Sequence, residues 1–335
     1  MLRSMDSAVS GLRAHQNKLD VIGHNIANVN TNGFKSQSYT FKDTMYQTST
    51  ASTNGTATAG GVNAAQYGYG ALMGVISMDM TASTPTYKGG FNATIDGSGF
   101  FVTNTTKILG GVPVTGTDDV SLKKNDFGFT RVGQFNIDSN GYITDGNGNF
   151  VYGFRTNDDG TKQSTKLEAL RVPCEVNQDK DGNYTYIYND TDGPVEAIDV
   201  QINKMGDIQI SVKHNYQYEE DDGTGTNHMV EKTGQKTSTI TIGQVAVATF
   251  QNEEGLTKDG NGYYVTTESD NTGTCSAAAP GDGRSTLMPG YLEASNVDMA
   301  TEFAEMIMTQ RGFQANSKII TVSDEILNDL INMKR

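Results

Sequence analysis

The two ends of this chain carry one kind of pattern, and the middle carries another. Residues 1–28 and 296–333 place apolar side chains three or four positions apart, which predicts amphipathic helices. The residues between them are rich in Gly, Asn, Thr and Asp, a composition typical of strands and turns. Helical ends around a β-rich middle favour a subunit that pairs its ends with each other or with further copies, rather than an enzyme.

The apolar positions of each predicted helix form one narrow stripe. Their steps of three and four residues match the spacing that a coiled-coil partner covers. Gln16, Gly23, Gln310 and Asp324 interrupt the stripes, so two ordinary core helices of a globular domain remain the alternative. The apolar members predicted to pair are Leu2, Met5, Val9, Leu12, Leu19, Ile26, Phe303, Met306, Phe313, Ile320, Leu327 and Ile331.

Charge and composition limit the expected partners. The chain has 335 residues and a net charge of −14, and it lacks a dense Lys/Arg cluster, so neither nucleic acid nor an anionic membrane surface is expected. It also lacks an apolar run long enough for membrane insertion and the apolar segment of a cleavable secretion signal. Cys174 and Cys275 stand apart from each other and from histidine, which predicts passive thiols.

The sequence predicts no catalytic residue, no cofactor and no metal site. The run 97–99 (Gly-Ser-Gly) is the nearest approach to a nucleotide-binding fingerprint, but it leads into a predicted strand rather than a helix. The segment 145–148 (Asp-Gly-Asn-Gly) is similar to a calcium loop, but phenylalanine occupies the sixth position, where such loops need glycine. A tight hairpin turn is the prediction for this segment.

The boundaries of the elements follow from capping and turn residues. The run of Asn, Thr and Gly at 28–33 predicts the end of the first helix. Residues 36–70 predict an extended linker, residues 127–154 predict strands joined by tight hairpin turns, and residues 240–250 predict a pair of strands that resumes the β region. Ser295 or Asn296 is the predicted N-cap of the last helix.

Several segments resemble one family, the flagellar axial proteins of the rod and hook. Segments 20–35, 291–298 and 310–318 are similar to its terminal signatures, and segments 97–101 and 129–135 to its β-domain motifs. The residues that carry the terminal resemblance are Asn25, Asn28, Gly33, Phe34, Asn296 and Asn316. The middle of the chain, between about residues 155 and 239, has no counterpart in this resemblance.

The resemblance implies a discontinuous α+β fold in which the N- and C-terminal helices pair as a coiled coil and a mainly β region is inserted between them. The implied parts are residues 1–29 with 297–335 as an inner axial coiled coil, 30–70 with 287–296 as an extended linker region, 71–154 with 240–286 as a β domain, and 155–239 as a small outer β insert.

The same resemblance implies a structural protein that polymerises with itself into a helical tube. Its implied partners are other flagellar axial proteins (distal rod, hook cap and hook–filament junction) and the flagellar type III export apparatus, which would deliver it to the hook or basal body outside the cell. Phe41 and Met45 fit the family's Phe-x-x-x-apolar export pattern, although simple packing of Phe41 explains that residue equally well.

Within the family, the start of the chain and segment 41–46 resemble the hook branch, which forms a curved joint that transmits torque from rod to filament. The insert at residues 155–239 is shorter than in many hook proteins, so the distal rod branch remains the alternative. A hypothesis of a different class is a secreted β-rich adhesin. Such an adhesin would bind its target through residues 71–286 and would need neither end of the chain.

Overall fold

A computed structural model describes residues 2–55, 60–115, 118–157, 165–178, 184–188, 193–221, 229–281 and 285–333. The described chain is α+β, as predicted. Its helices are α1 (Leu2–Ala27), α2 (Ser121–Lys124) and α3 (Met299–Met333), with a short 3-10 helix at Glu253–Gly255. None of the described helices is long and apolar enough to cross a bilayer.

The strands of the first half are β1 (Gln37–Asp43), β2 (Tyr46–Thr50), β3 (Ala65–Gly68), β4 (Ala71–Met78), β5 (Pro85–Tyr87), β6 (Ala93–Asp96), β7 (Phe100–Asn104), β8 (Val112–Pro113), β9 (Gly128–Thr130), β10 (Phe135–Ile137), β11 (Ile143–Asp145) and β12 (Phe150–Arg155). The strands of the second half are β13 (Lys166–Ala169), β14 (Glu175–Gln178), β15 (Tyr184–Ile187), β16 (Ala197–Ile202), β17 (Asp207–Asp221), β18 (Met229–Val245), β19 (Val247–Phe250), β20 (Thr257–Gly260), β21 (Tyr263–Val265), β22 (Cys275–Ala278), β23 (Thr286–Pro289) and β24 (Tyr291–Glu293).

The chain divides into two compact units. Unit 1 comprises Met1–Asn30, Lys35–Met80 and Asn296–Arg335, and unit 2 comprises Thr31–Phe34 and Thr81–Ser295. The predicted four-part division of the chain stays a prediction.

Unit 1 contains α1, α3 and strands β1 to β4. The first helix ends at Ala27, directly before the Asn-rich turn, which confirms the predicted boundary. Where an extended linker was predicted, β1 pairs antiparallel with β4, and β2 pairs antiparallel with β3. Two residues of β1 pack inside unit 1: Tyr39 is buried, and the ring centroid of Phe41 lies 5.1 Å from that of His15 on α1.

The N-cap of α3 is Asp298, so the prediction of Ser295 or Asn296 is wrong. The Asp298 carboxylate accepts hydrogen bonds from the Ala300 amide at 3.0 Å and from the Thr301 hydroxyl at 2.7 Å. These two bonds, the one from Thr301 foremost, lower the pKa of Asp298. Asn296 is engaged elsewhere: its side chain accepts from the Ser36 amide at 2.7 Å and donates to the Asp79 carbonyl at 2.9 Å.

Unit 2 is built on one large sheet. Its main path runs β15-β14-β17-β18-β12-β7-β9-β21-β20, and the neighbours along this path are antiparallel except β14 and β17. The apolar core gathers one face of many strands, including Phe101, Val151, Ile208, Ile242 and Val247, each at most 2% exposed. Strands from residues 155–239 belong to this sheet: β13 pairs with β12, β16 with β17, and β17 with β18.

The hairpins predicted within residues 127–154 lie in this sheet, where β10 pairs with β11 and β11 with β12. The prediction for residues 240–250 is wrong in one respect: β18 and β19 are consecutive strands, but β19 pairs with β7 and β22 and not with β18. Gly141 and Gly148 adopt positive φ angles of 80° and 86°, which an Asn-Gly turn supplies without strain. The Asp145 carboxylate accepts from the Asn147 and Asn149 amides at 2.9 and 3.0 Å, so this segment is a tight turn, as predicted.

Candidate assembly interface

The two long helices of unit 1 run antiparallel. As residue numbers rise along α1, the numbers of the residues that face them on α3 fall. The facing pairs are Gly11 with Asn316, His15 with Gly312, Lys18 with Glu305 (2.9 Å between Nζ and Oε2) and Asn25 with Glu302 (2.8 Å between Nδ2 and Oε1).

Small and polar side chains make up part of the buried surface of these two helices, together with the larger Val21 and Ile22 of α1, which are 9% and 3% exposed. Ala8 and Ala14 on α1 are each 2% exposed, and the buried positions of α3 are Thr309 and Ser323. A Cβ atom added at Gly312 would lie 2.7 Å from the His15 ring, so glycine lets the backbones approach closely. The sequence interpretation followed large apolar residues and missed the small residues of this surface, whose signal was their helical spacing on α1.

The residues of the predicted apolar stripe differ in exposure. Its half-buried members are Met5, Leu12, Leu19, Ile26, Met306, Ile320 and Leu327, and its exposed members are Val9, Phe303, Phe313 and Ile331. Leu2 lies in the first turn of α1, and its side chain lies outside the described residues. The assignment of these residues to a coiled coil stays a prediction.

Large apolar side chains of α3 point to solvent along much of its length. These exposed residues lie on more than one side of the helix. Together we call them the α3 apolar face, and its members are Met299, Phe303, Ile307, Met308, Phe313, Ile319, Val322, Ile326, Leu330, Ile331 and Met333. Soluble proteins rarely leave so much apolar surface exposed unless a partner covers it. The face therefore indicates an interface with another chain.

Asn25 joins three elements of unit 1. Its amide oxygen accepts from the Gln37 amide at 3.0 Å, and its Nδ2 donates to the Gln37 carbonyl and to Glu302, both at 2.8 Å. The side chain is 1% exposed, so these bonds satisfy a buried amide. This residue of the family signature thus connects α1, β1 and α3.

The other signature residues have local structural roles. The Asn28 side chain donates to the His24 carbonyl at 2.9 Å at the end of α1. Gly33 has a φ of 69° and its amide donates to the Glu293 carbonyl at 2.9 Å. The ring centroid of Phe34 lies 4.6 Å from the Lys258 ammonium.

The two residues of the possible export pattern differ in surroundings. Phe41 is 43% exposed, and its ring packs beside His15 and lies 5.8 Å from the Lys18 ammonium. Met45 is 82% exposed. The packing of Phe41 gives it a structural role in unit 1, and the export assignment of both residues stays a prediction.

The structure offers little for chemistry. Within the described ranges, no three His, Cys, Asp or Glu side chains lie close enough to hold a metal ion. Neither Cys174 nor Cys275 takes part in a disulfide bond. Burial raises the pKa of Cys275 to about 11, so this thiol stays protonated and unreactive at neutral pH.

The close approach at Gly312 gives a first prediction. Gly312→Ala should raise the helix propensity of α3 but push the His15 ring away from it. A Cβ atom added at Gly23 has no neighbour within 4 Å, so Gly23→Ala should raise helix propensity without any steric cost. Overpacking typically costs about 1–3 kcal/mol, so we expect the Gly312 variant to be less stable than the Gly23 variant by about that amount. Urea unfolding of the full chain, followed by far-UV circular dichroism, measures the difference. Equal stabilisation by both would contradict packing through Gly312.

Glu302 gives a prediction of pH dependence. Burial raises the pKa of Glu302 above its ordinary value of 4.5, against the opposing effect of the Asn25 hydrogen bond. A carboxyl group whose pKa is raised by folding stabilises the fold fully below pH 4.5, and this contribution is lost as pH rises through the raised pKa. Glu302→Gln keeps the acceptor for Asn25 and removes the charge. We expect this variant to exceed the wild type in melting temperature at neutral pH and to match it in acid.

The quantity to compare is the difference in melting temperature between the wild type and Glu302→Gln at each pH. Burial also lowers the pKa of His15, so protonation of this ring opposes folding as pH falls in both proteins. Taking the difference removes that shared effect. A constant difference in melting temperature from acid to neutral pH would contradict the role given to Glu302.

Comparison with known proteins matches both ends of the chain to flagellar families. Residues 5–35 match the family described as flagella basal body rod protein, and residues 288–333 match the family described as flagellar basal body rod FlgEFG protein C-terminal. Among curated proteins, the flagellar basal-body rod protein FlgG of Bacillus subtilis is 37% identical over 338 aligned residues, covering the whole of both chains. The chain belongs to the flagellar rod and hook family.

Relatives carry both names within this family. The flagellar hook protein FlgE of Borreliella burgdorferi is 27% identical over 463 aligned residues that span both chains. The FlgG protein of Caulobacter vibrioides is 27% identical and covers 97% of each chain. The resemblance of the sequence to axial proteins is thereby confirmed: the chain is a structural component of the flagellar rod or hook, and not an enzyme.

Proposed function

We propose that this chain polymerises into a helical tube and forms the flagellar hook, the flexible joint that transmits torque from rod to filament. The observation that carries polymerisation is the α3 apolar face. The large apolar residues of this face are exposed in the subunit and are therefore available to neighbouring copies. Head-to-tail contacts that do not close on themselves generate a helical filament.

The two units differ in composition, with apolar helices in unit 1 and a polar surface on unit 2, and this difference supports a mechanical role. Apolar helices packed at the axis resist deformation, because tightly packed interiors have few alternative arrangements. Unit 2 presents a polar surface rich in Gly, Asn and Thr within a chain of net charge −14, which suits hydrated contacts that exchange between discrete states. A curved tube needs both properties as it rotates.

Partners, export and location follow from this function. The polymer would contact the distal rod at one end, and the hook cap and then the hook–filament junction at the other. The subunit would leave the cell through the flagellar type III apparatus, with Phe41 and Met45 as the candidate recognition pair. The exposure of Met45 supports its availability to a receptor.

The distal rod is the second candidate. It is favoured by the 37% identity to the FlgG protein of Bacillus subtilis, which exceeds the 27% identity to the FlgE protein of Borreliella burgdorferi. The hook is favoured by the start of the chain and by the strands that residues 155–239 add to the sheet of unit 2. Location in the flagellum distinguishes the two.

The deciding experiment is immunogold electron microscopy with antibody raised against residues 155–239. For the hook, gold should mark a short curved segment between the cell surface and the filament of intact cells. Gold that is absent from intact cells but marks the straight rod of detergent-extracted basal bodies would assign the chain to the distal rod. Cells that lack the gene serve as the control, and gold along neither structure would contradict both candidates.

A further inference from the structure

One histidine lies at the place where α1, α3 and β1 of unit 1 meet. The His15 ring of α1 lies against the α3 backbone, since a Cβ atom added at Gly312 would be 2.7 Å from it. The centroid of the same ring lies 5.1 Å from that of Phe41 on β1. His15 therefore packs between a glycine and an aromatic ring, and neither of these two residues has a polar side chain.

The Nδ1 atom of His15 is enclosed by this packing. Among the residues that the structure describes, no group forms a hydrogen bond with this atom. A neutral imidazole tolerates such a position, because one of its two nitrogens carries no proton and needs no acceptor. A protonated imidazole does not tolerate it, because both nitrogens are then donors and a buried donor without an acceptor is unfavourable.

The charged groups around His15 also oppose its protonation. Burial lowers the pKa of His15, and repulsion by the Lys18 ammonium, one turn further along α1, lowers it further. The carboxylate of Glu305 on α3 is paired with Lys18, 2.9 Å from its Nζ. Among the described residues, no carboxylate raises the pKa of the ring. A positive charge on His15 is thus unfavourable as long as α1 and α3 stay in contact.

We propose that His15 is a proton-sensitive switch whose protonation separates α1 from α3 in the free subunit and leaves unit 2 folded. The neutral ring fills the contact at Gly312, and the charged ring must leave this contact to reach water. The other facing groups, Lys18 with Glu305 and Asn25 with Glu302, are polar and can bind water once the helices separate. The switch goes beyond the proposed function, because it acts on the subunit before assembly.

The direction of the pH dependence follows from the lowered pKa. A group whose pKa is lowered by folding stabilises the folded state above its ordinary pKa, which is 6.5 for His15, and this contribution is lost as pH falls through the lowered value. One proton changes the ratio of open to closed helix pairs by at most about tenfold per pH unit. We therefore expect this ratio to rise by up to about tenfold between about pH 7.5 and about pH 5.5.

Hydrogen–deuterium exchange of the full chain, corrected for the chemical exchange rate at each pH, tests the switch. Relative to His15→Gln, wild-type peptides of α1 and α3 should lose protection in acid, whereas peptides of β7 in unit 2 should not. Comparison with this variant removes the effect of Glu302, which has the opposite sign because its pKa is raised. His24→Gln is the matched control: His24 is exposed on the same helix, so this variant should respond to acid as the wild type does. An equal response of wild type and His15→Gln would overturn the proposal.

A second measurement uses the wild type alone and decides the matter where His15→Gln does not fold. In proton NMR spectra, the ring signal of His15 is assigned from its through-space contact with the Phe41 ring. We expect this signal to titrate below pH 6.5, together with the loss of protection of α1. A midpoint at or above pH 6.5, or titration with α1 still protected, would overturn the proposal.

Discussion

Phe313→Asp should abolish tube formation while leaving unit 2 folded. Phe313 belongs to the α3 apolar face and is 36% exposed, so an introduced carboxylate can still reach solvent in the free subunit. In the polymer a neighbouring copy would cover this position, and an uncompensated buried charge costs about 3–5 kcal/mol. A loss of this size raises the critical concentration for assembly by more than about 100-fold. Leu12→Asp should act in the same direction, but Leu12 is half-buried in the subunit, which makes Phe313 the cleaner test.

The measurement is electron microscopy of cells in which the variant replaces the wild-type gene, combined with sedimentation of the purified protein. Circular dichroism and limited proteolysis of the same preparation report whether unit 2 is folded. Gln314→Asp is the matched control, since Gln314 is exposed, lies next to Phe313 and adds the same charge to α3. Normal tubes from Phe313→Asp would contradict the axial assignment of the α3 apolar face. Loss of tubes in both variants would attribute the effect to net charge instead.

Sequence predicted the elements of this fold wherever one local signal decided the outcome. The Asn-Gly turn at 140–141 and the Asn-rich end of α1 depend on backbone conformations that few other residues adopt. The hairpins around residues 135–155 follow from these turns and from alternating apolar residues. Turns and helix ends can be predicted from sequence because the groups that interact in them are close together along the chain.

Sequence could not predict contacts that depend on a distant partner. Asn296 was a reasonable helix cap, but Ser36 and Asp79 bind its side chain, and Asp298 caps α3 instead. The sequence likewise did not reveal that Gly312 of α3 lies against the His15 ring of α1. The face that a helix packs against its own chain depends on contacts between residues that are far apart in the sequence. The spacing of apolar residues along one helix carries no information about such contacts.

Arg131→Ala should destabilise unit 2 by about 3–5 kcal/mol, because it leaves the buried charge of Glu293 without its guanidinium. The two side chains are 1% and 2% exposed, with Nη1 and Oε2 3.6 Å apart. Arg131 also donates to the Gly97 carbonyl at 3.0 Å, and its guanidinium lies 5.2 Å from the ring of Phe100. The pair thus connects both β-domain motifs of the family to the C-terminal signature segment that contains Glu293.

Urea unfolding of the full chain, followed by tyrosine fluorescence because the sequence has no Trp, measures the effect. The double variant Arg131→Met with Glu293→Leu should recover much of the loss, because two apolar side chains of similar volume remove both buried charges together. Lys124→Ala is the control for an ion pair in solvent: Lys124 and Glu268 are 61% and 53% exposed, and we expect a change below about 1 kcal/mol. If Arg131→Ala lowered the free energy of unfolding by no more than Lys124→Ala does, the ion pair of Arg131 and Glu293 would not be what stabilises the contact between the two β-domain motifs and the segment that contains Glu293.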